Sequence, residues 1–127
     1  MATEAQKEAS KRYYYKWREE NVERVKRYNQ ENKDKKLDWY YRKTYNISLE
    51  QFNDMLLSQN NKCAVCLLEE TAIDKRTGKI RRLHVDHCHK TGKVRGLLCT
   101  KCNIALGYLS DSLEIAQLMV RYIETNC

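Results

Sequence analysis

His84-Val85-Asp86-His87-Cys88-His89-Lys90-Thr91-Gly92-Lys93-Val94-Arg95-Gly96-Leu97-Leu98-Cys99-Thr100-Lys101-Cys102-Asn103 holds all three histidines of a 127-residue chain, with three of its six cysteines. Ile80, Leu83 and Val85 on one side and Val94, Leu97 and Leu98 on the other flank turn chemistry at Lys90 to Gly92, so short strands are expected at Ile80 to Val85 and Val94 to Leu98. Side chains alternate along a strand, which puts His84 and Asp86 on one face and Val85 and His87 on the other until the turn. After Cys99 the spacing predicts a helix to Leu106 that stops at Gly107, a common residue just past a helix end. The pattern is strand, turn, strand, helix.

Moving outward, Cys99-x2-Cys102 has a counterpart in Cys63-x2-Cys66. Each pair places two thiolates at a tight turn, and together they make a tetrahedral four-cysteine set suited to structural Zn²⁺. The 32 residues between the pairs exceed the spacing of about 15–20 in a simple zinc ribbon, so the histidine-rich segment is an insert between the knuckles. Within it, Thr71-Ala72-Ile73 and Ile80 onward flank a turn at Arg76-Thr77-Gly78-Lys79, consistent with a hairpin. Cys88 and Cys127 are left unassigned.

Further out the chain is helical. Ser48 and Gln51 form a capping box ahead of Phe52, Met55, Leu56 and Leu57, predicting a helix that ends near Gln59 to Asn61. Residues 4–45 contain no Gly, Cys or His but both Trp and seven of the nine Tyr. Trp17, Tyr28 and Trp39 recur at intervals of 11, about three helical turns, which aligns them on one stripe. Asn29 to Asn32 is the expected break, with Asn32 capping a second helix from Lys33. The aromatics are expected to pack on the rest of the protein or on a second subunit, and the basic residues of the other face to touch DNA. A last helix from Ser110 or Asp111 carries Leu113, Ile115, Leu118, Met119, Tyr122 and Ile123 at the spacing of a buried face. The chain is thus α+β and mainly helical. Residues 1–46 read as a basic, aromatic-rich extension and 47–127 as the cysteine-bearing module.

Composition narrows the function. Mean hydropathy is −0.82 and no apolar run approaches the roughly 20 residues of a membrane span. Lys7, Lys11, Arg12, Lys16 and Arg18 stand in the first twenty residues with no apolar core between them, so no secretory leader is expected. A reducing cytoplasm is the expected setting, and there six cysteines point to metal or chemistry before disulfides. The formal net charge is +7, and Lys75 to Lys101 alone holds nine Lys or Arg against one acid, Asp86. That density suits a polyanionic partner.

Asp86 and the three clustered histidines supply a carboxylate for a hydrated divalent cation and an imidazole to deprotonate water, the groups metal-assisted phosphodiester hydrolysis requires. Asn103, directly after Cys102, offers a neutral oxygen ligand. Two readings follow. One is a Mg²⁺- or Mn²⁺-dependent DNA endonuclease using Asp86, a histidine and Asn103. The other is a non-catalytic zinc-ribbon module that binds nucleic acid through its basic residues and leaves the triplet without a purpose.

From Leu83 to Asn103 the string resembles the phage recombination endonuclease VII family, a branch of the His-Me finger (ββα-metal, HNH-like) nucleases, and the resemblance covers about residues 47–109. It implies a ββα-metal finger held by zinc on Cys63, Cys66, Cys99 and Cys102, with Asp86 and Asn103 binding the catalytic ion. It further implies His87 as the general base, His89 as a helper at the phosphate or metal, and a cut leaving 5′-phosphate and 3′-hydroxyl. Lys90, Lys93 and Arg95 would bind the substrate strand, with Gly96 allowing close backbone approach. Duplex or branched DNA is the implied partner, in the cytoplasm of a host cell for a phage protein. The long helices precede the module here, so a homodimer, if formed, is expected through them. The glutamate that such proteins place one turn after the asparagine is replaced by Leu106.

Overall fold

The computed structural model describes residues 1–127, which divide into two units, Met1–Tyr40 and Tyr41–Cys127, the division falling inside a helix. In the first unit, helices α1 (Glu4–Glu20) and α2 (Val22–Glu31) lead into α3 (Lys33–Tyr45), which crosses the division. Thr3 caps α1 in a capping box with Gln6. The helix breaks fall at Asn21 and Asn32, again eleven residues apart. Each Asn turns its side-chain amide back on the preceding helix, Asn21 Nδ2 donating to the Trp17 carbonyl and Asn32 Nδ2 to that of Tyr28, both at 2.8 Å. Asn32 therefore closes the C-terminus of α2 and is not the side-chain cap of the next helix. Helices α1 and α2 bury no residue. The aromatics expected to pack are exposed instead, Trp17, Tyr28 and Trp39 alike, with the Lys36 ammonium 5.2 Å from the Tyr28 ring centroid.

The second unit is built around a small core. Ser48 and Gln51 form the expected capping box at the start of α4 (Leu49–Ser58). Phe52 of α4 stacks on Tyr41 with ring centroids 4.6 Å apart and planes 12° from parallel. Leu83, Val85, Leu97, Leu98, Cys63 and Cys99 complete the buried set. Strands β1 (His84–His87) and β2 (Val94–Leu98) pair antiparallel as a two-stranded sheet. One edge of β2 is closed by a side chain: the Gln59 amide both accepts from Leu97 N and donates to Leu97 O, each at 2.9 Å. This supplies the pairing a third strand would give and leaves no free peptide at that position.

The β1–β2 register carries the fold's main departure from regular alternation. Asp86 faces Gly96, but His87 faces Val94, so Arg95 is an extra residue with no partner. Such a bulge re-aims the side chains around it. The connecting turn closes through Cys88 N to Lys93 O at 2.9 Å and Gly92 N to Cys88 O at 2.7 Å, with Gly92 in the left-handed region that a glycine adopts freely (φ 72°).

Helix α5 (Thr100–Leu109) runs past Gly107. The left-handed residue that ends it is Ser110, so the expected stop at Gly107 falls three residues early. Helix α6 (Leu113–Asn126) is capped by Ser112, whose hydroxyl accepts from Ile115 N, and does not begin at Ser110 or Asp111. Its apolar residues are not core: Leu113, Ile115, Leu118, Met119, Tyr122 and Ile123 are 44–71% exposed. Helical spacing marks an apolar face but not what covers it. The hairpin expected between the knuckles is reduced to one bridge, Ile73 to Ile80, around a turn in which the Asp74 carbonyl accepts from Thr77 and Gly78.

Candidate active site and metal centre

Cys63, Cys66, Cys99 and Cys102 bring their sulfurs within 4.8 Å of one another. Cys66 Sγ and Cys99 Sγ lie 3.8 Å apart, and tetrahedral Zn–S bonds of about 2.3 Å require S–S separations of about 3.8 Å. The donor set and its spacing fit Zn²⁺, with no position left for substrate. Backbone N–H groups point at two of the sulfurs, Val65 N at Cys63 Sγ (3.4 Å) and Cys102 N at Cys99 Sγ (3.5 Å). Burial opposes charge on Cys63, yet the N–H groups of Cys66, Cys99 and Val65 outweigh it and hold this thiol at about 6. Burial and the neighbouring sulfurs push Cys102 up to about 12. Burial and mutual repulsion thus oppose charge on all four sulfurs together, and a bound cation would offset both.

The N-terminus of α5 is braced by a residue that carries no sequence motif. Glu70 Oε2 accepts from Thr100 N at 2.6 Å and Thr100 Oγ1 at 2.7 Å. Glu70 Oε1 accepts from Thr71 N and Ala72 N, each at 2.9 Å. His84 Nε2 meets Thr100 Oγ1 at 3.0 Å, so His84 joins this brace and supports β1, apart from the catalytic candidates. Burial alone would raise the Glu70 carboxyl, but these hydrogen bonds hold it below its ordinary 4.5. A depressed carboxyl adds stability that is complete above the unfolded value and is lost as pH falls through the folded one. Glu70→Gln is therefore expected to cost about 1–3 kcal/mol, equally at pH 7 and pH 5.5, since both lie above 4.5. Urea denaturation at the two pH values checks it, and a deficit that shrinks by pH 5.5 would contradict the assignment.

Next to the thiolate cluster, β1 and α5 line a cleft of about 210 Å³ that takes in Tyr45, Asp86, His87, His89, Asn103 and Asp111. Alternation would have put Asp86 and His87 on opposite faces, yet both line this cleft, beside Val85. Asn103, Leu106 and Gly107 reach it at i, i+3 and i+4 of α5. Asp86 is buried and held in a fork by Arg95, Nε to Oδ2 at 2.7 Å and Nη2 to Oδ1 at 3.0 Å. Such bidentate pairing gives the carboxylate two charge-assisted hydrogen bonds in a fixed geometry. Each oxygen keeps a further lone pair. With the amide oxygen of Asn103, Asp86 makes an all-oxygen donor set that fits a hard cation such as Mg²⁺ or Mn²⁺.

His87 stands between two rings, Tyr45 at 5.9 Å and His89 at 5.0 Å. Asp111, read from sequence only as a helix start, enters the cleft from the α5–α6 turn. Its Oδ1 accepts from Arg95 Nη2 at 2.9 Å, and its Oδ2 meets His89 Nδ1 at 2.9 Å. Hydrogen bonds from Arg95 are the chief cause that the Asp111 carboxyl lies below its ordinary 3.8. Lys90 and Lys93 stand exposed on the turn, and neither they nor Arg95 belong to the lining of the cleft. Gly96 does serve close approach, but to protein: a Cβ there would sit 3.4 Å from both Ala64 Cβ and Gln59 Oε1. No helix is long and apolar enough to cross a membrane.

A family profile described as recombination endonuclease VII matches residues 38–125. The Gene 59 protein of Mycobacterium phage D29 is 41% identical over 81 residues, and that of Mycobacterium phage L5 is 38% identical over the same length. Each alignment covers 63% of this chain and 45% of the phage protein, so the chain matches less than half the length of these relatives.

Proposed function

Because the chain belongs to the recombination endonuclease VII family, we propose that it is a metal-dependent DNA endonuclease of the ββα-metal (His-Me) finger type. One observation carries this reading: Asp86, His87 and Asn103 line a single cleft beside the four-cysteine cluster. Zinc on Cys63, Cys66, Cys99 and Cys102 would hold the start of α5, and with it Asn103. Asp86 and Asn103 would hold Mg²⁺ or Mn²⁺, which would supply charge stabilisation to the phosphate. His87, whose ring nitrogens form no hydrogen bond within the chain, accepts a proton from the attacking water. The water oxygen bonds to phosphorus and the P–O3′ bond breaks. The departing O3′ takes a proton from solvent, leaving 5′-phosphate and 3′-hydroxyl ends. Arg95, with Lys90 and Lys93 on the adjoining turn, neutralises the strand being cut. A module that only binds nucleic acid would be served by the cysteines and the basic residues alone, and has no use for a carboxylate, an imidazole and an amide in one cleft.

Supercoiled plasmid and a four-way DNA junction, each incubated with the protein in Mg²⁺ and in EDTA, test the proposal. Cleavage of either substrate in Mg²⁺ and none in EDTA is expected. DNA binding without cleavage of either substrate would overturn it in favour of a binding module. The product pattern reads the assembly. A nicked circle as first product means one cleft per encounter, whereas linear product from the outset means two chains paired, for which the exposed aromatics of the N-terminal helices are the proposed surface.

A further inference from the structure

We propose that Asp111 is a positioning residue of this active site, holding the imidazole of His89 and the guanidinium of Arg95 in the orientations that meet the scissile phosphate. The inference rests on the nuclease reading of the cleft. Its geometry is that of one carboxylate serving three donors: Arg95 Nη2 at 2.9 Å on one oxygen, His89 Nδ1 at 2.9 Å and His89 N at 3.5 Å on the other. The same Arg95 grips Asp86, so Asp86, Arg95, Asp111 and His89 form a continuous chain of contacts in which Asp86, Asp111 and His89 line the cleft and Arg95 links the two carboxylates.

A carboxylate only accepts hydrogen bonds, so the contact at Nδ1 requires the His89 hydrogen on that atom. Nε2 is then the ring atom available to the cleft. Arg95 likewise spends Nε and Nη2 on carboxylates and keeps Nη1, with two hydrogens, for an anion. Asp111 thereby decides which atoms of both side chains remain for the phosphate. Helix α5 cannot do this, because the residues it turns to the cleft beyond Asn103 are Leu106 and Gly107. The carboxylate comes instead from a turn in which two successive non-glycine residues, Ser110 (φ 49°) and Asp111 (φ 57°), are left-handed. Aspartate tolerates that conformation better than most residues, and strained backbone is kept where the surroundings hold it for use.

Asp111→Ala and Asp111→Asn test the proposal by two readouts, nitrogen–proton NMR spectra of the histidine rings at neutral pH and single-turnover cleavage of plasmid and junction. Zinc content and melting temperature control for folding, and Asn, which also accepts the left-handed turn, preserves the loop if Ala does not. In the wild type, His89 is expected in the Nδ1–H form. In Asp111→Ala it should move to the ordinary Nε2–H form, with cleavage reduced about 10- to 100-fold. Asp111→Asn should fall between. An active wild type whose variants keep both the His89 spectrum and the rate overturns the proposal alone. A wild type that cuts neither substrate overturns the nuclease reading and the proposal with it, and the NMR spectrum still reports whether Asp111 sets the tautomer.

Discussion

His87→Ala is expected to reduce single-turnover cleavage by about 10²- to 10⁴-fold, the range a positioned general base contributes, while zinc content and DNA affinity stay at wild-type values. The expectation follows from where the imidazole sits. It lies at the end of β1, half-buried, in ring contact with Tyr45 and His89, and its nitrogens brace no other element. Removing it takes away a proton acceptor and little of the fold, because the core is carried by Phe52, Leu83, Val85 and Leu97. His84 is the natural contrast. It is tied to Thr100, so its replacement should lower stability more than the chemical rate. The gap left by His87 is bounded by two rings, and added imidazole should restore part of the lost rate. A His87→Ala protein cutting at wild-type speed would remove His87 as the base and pass the role to His89, the other imidazole of the cleft.

Much of this site was readable from residue spacing, for local reasons. Two Cys-x2-Cys pairs carry their meaning in the turn geometry of four residues each, and the structure does gather all four sulfurs. Val94 to Leu98 was bounded by a glycine turn and a cysteine knuckle, and the observed strand has those limits. The Ser48–Gln51 box is a backbone pattern of one helical turn. What was not legible depends on non-local pairing. Arg95 becomes the odd residue of a bulge only through the register β1 adopts against β2, and Asp86 and His87 line one cleft although strict alternation separates them. Asp111 looked like a helix start because acids favour that position. Its carboxylate is claimed by Arg95 and His89, 16 and 22 residues away. Glu70 lies 30 residues from Thr100 in a segment without motif, and no sequence signal would have selected it. The apolar spacing of α6 was correct as a pattern and wrong as burial, since periodicity is a property of one helix and burial of two surfaces.

Cys99→Ser is expected to abolish the cooperative melting of the Tyr41–Cys127 unit, and chelation of zinc from the wild-type protein should do the same. Cys99 does two things: its sulfur belongs to the four-cysteine cluster, and it caps α5 by accepting from Cys102 N. Serine is a favoured capping residue but a poor zinc ligand, so the substitution spares the cap and isolates the metal. Structural zinc contributes about 10–16 kcal/mol in small domains at neutral pH, while whole domains are stable by only about 5–15 kcal/mol. A core of eight buried residues leaves little in reserve once a quarter of the ligand set is gone. Cys127→Ser, at an exposed position, should melt as the wild type does and controls for the loss of a thiol. Zinc content by atomic absorption and thermal melts of the three proteins decide the matter. A Cys99→Ser protein with full zinc and an unchanged melting temperature would show that the cluster is not what holds the unit together. The expected result reaches the chemistry as well: Asn103 stands one turn into the helix that Cys99 starts, its N–H bonded to the Cys99 carbonyl at 2.9 Å. Loss of zinc should therefore end cleavage even in excess Mg²⁺, because on the proposed reading the structural ion would hold the helix from which a ligand of the catalytic one would project.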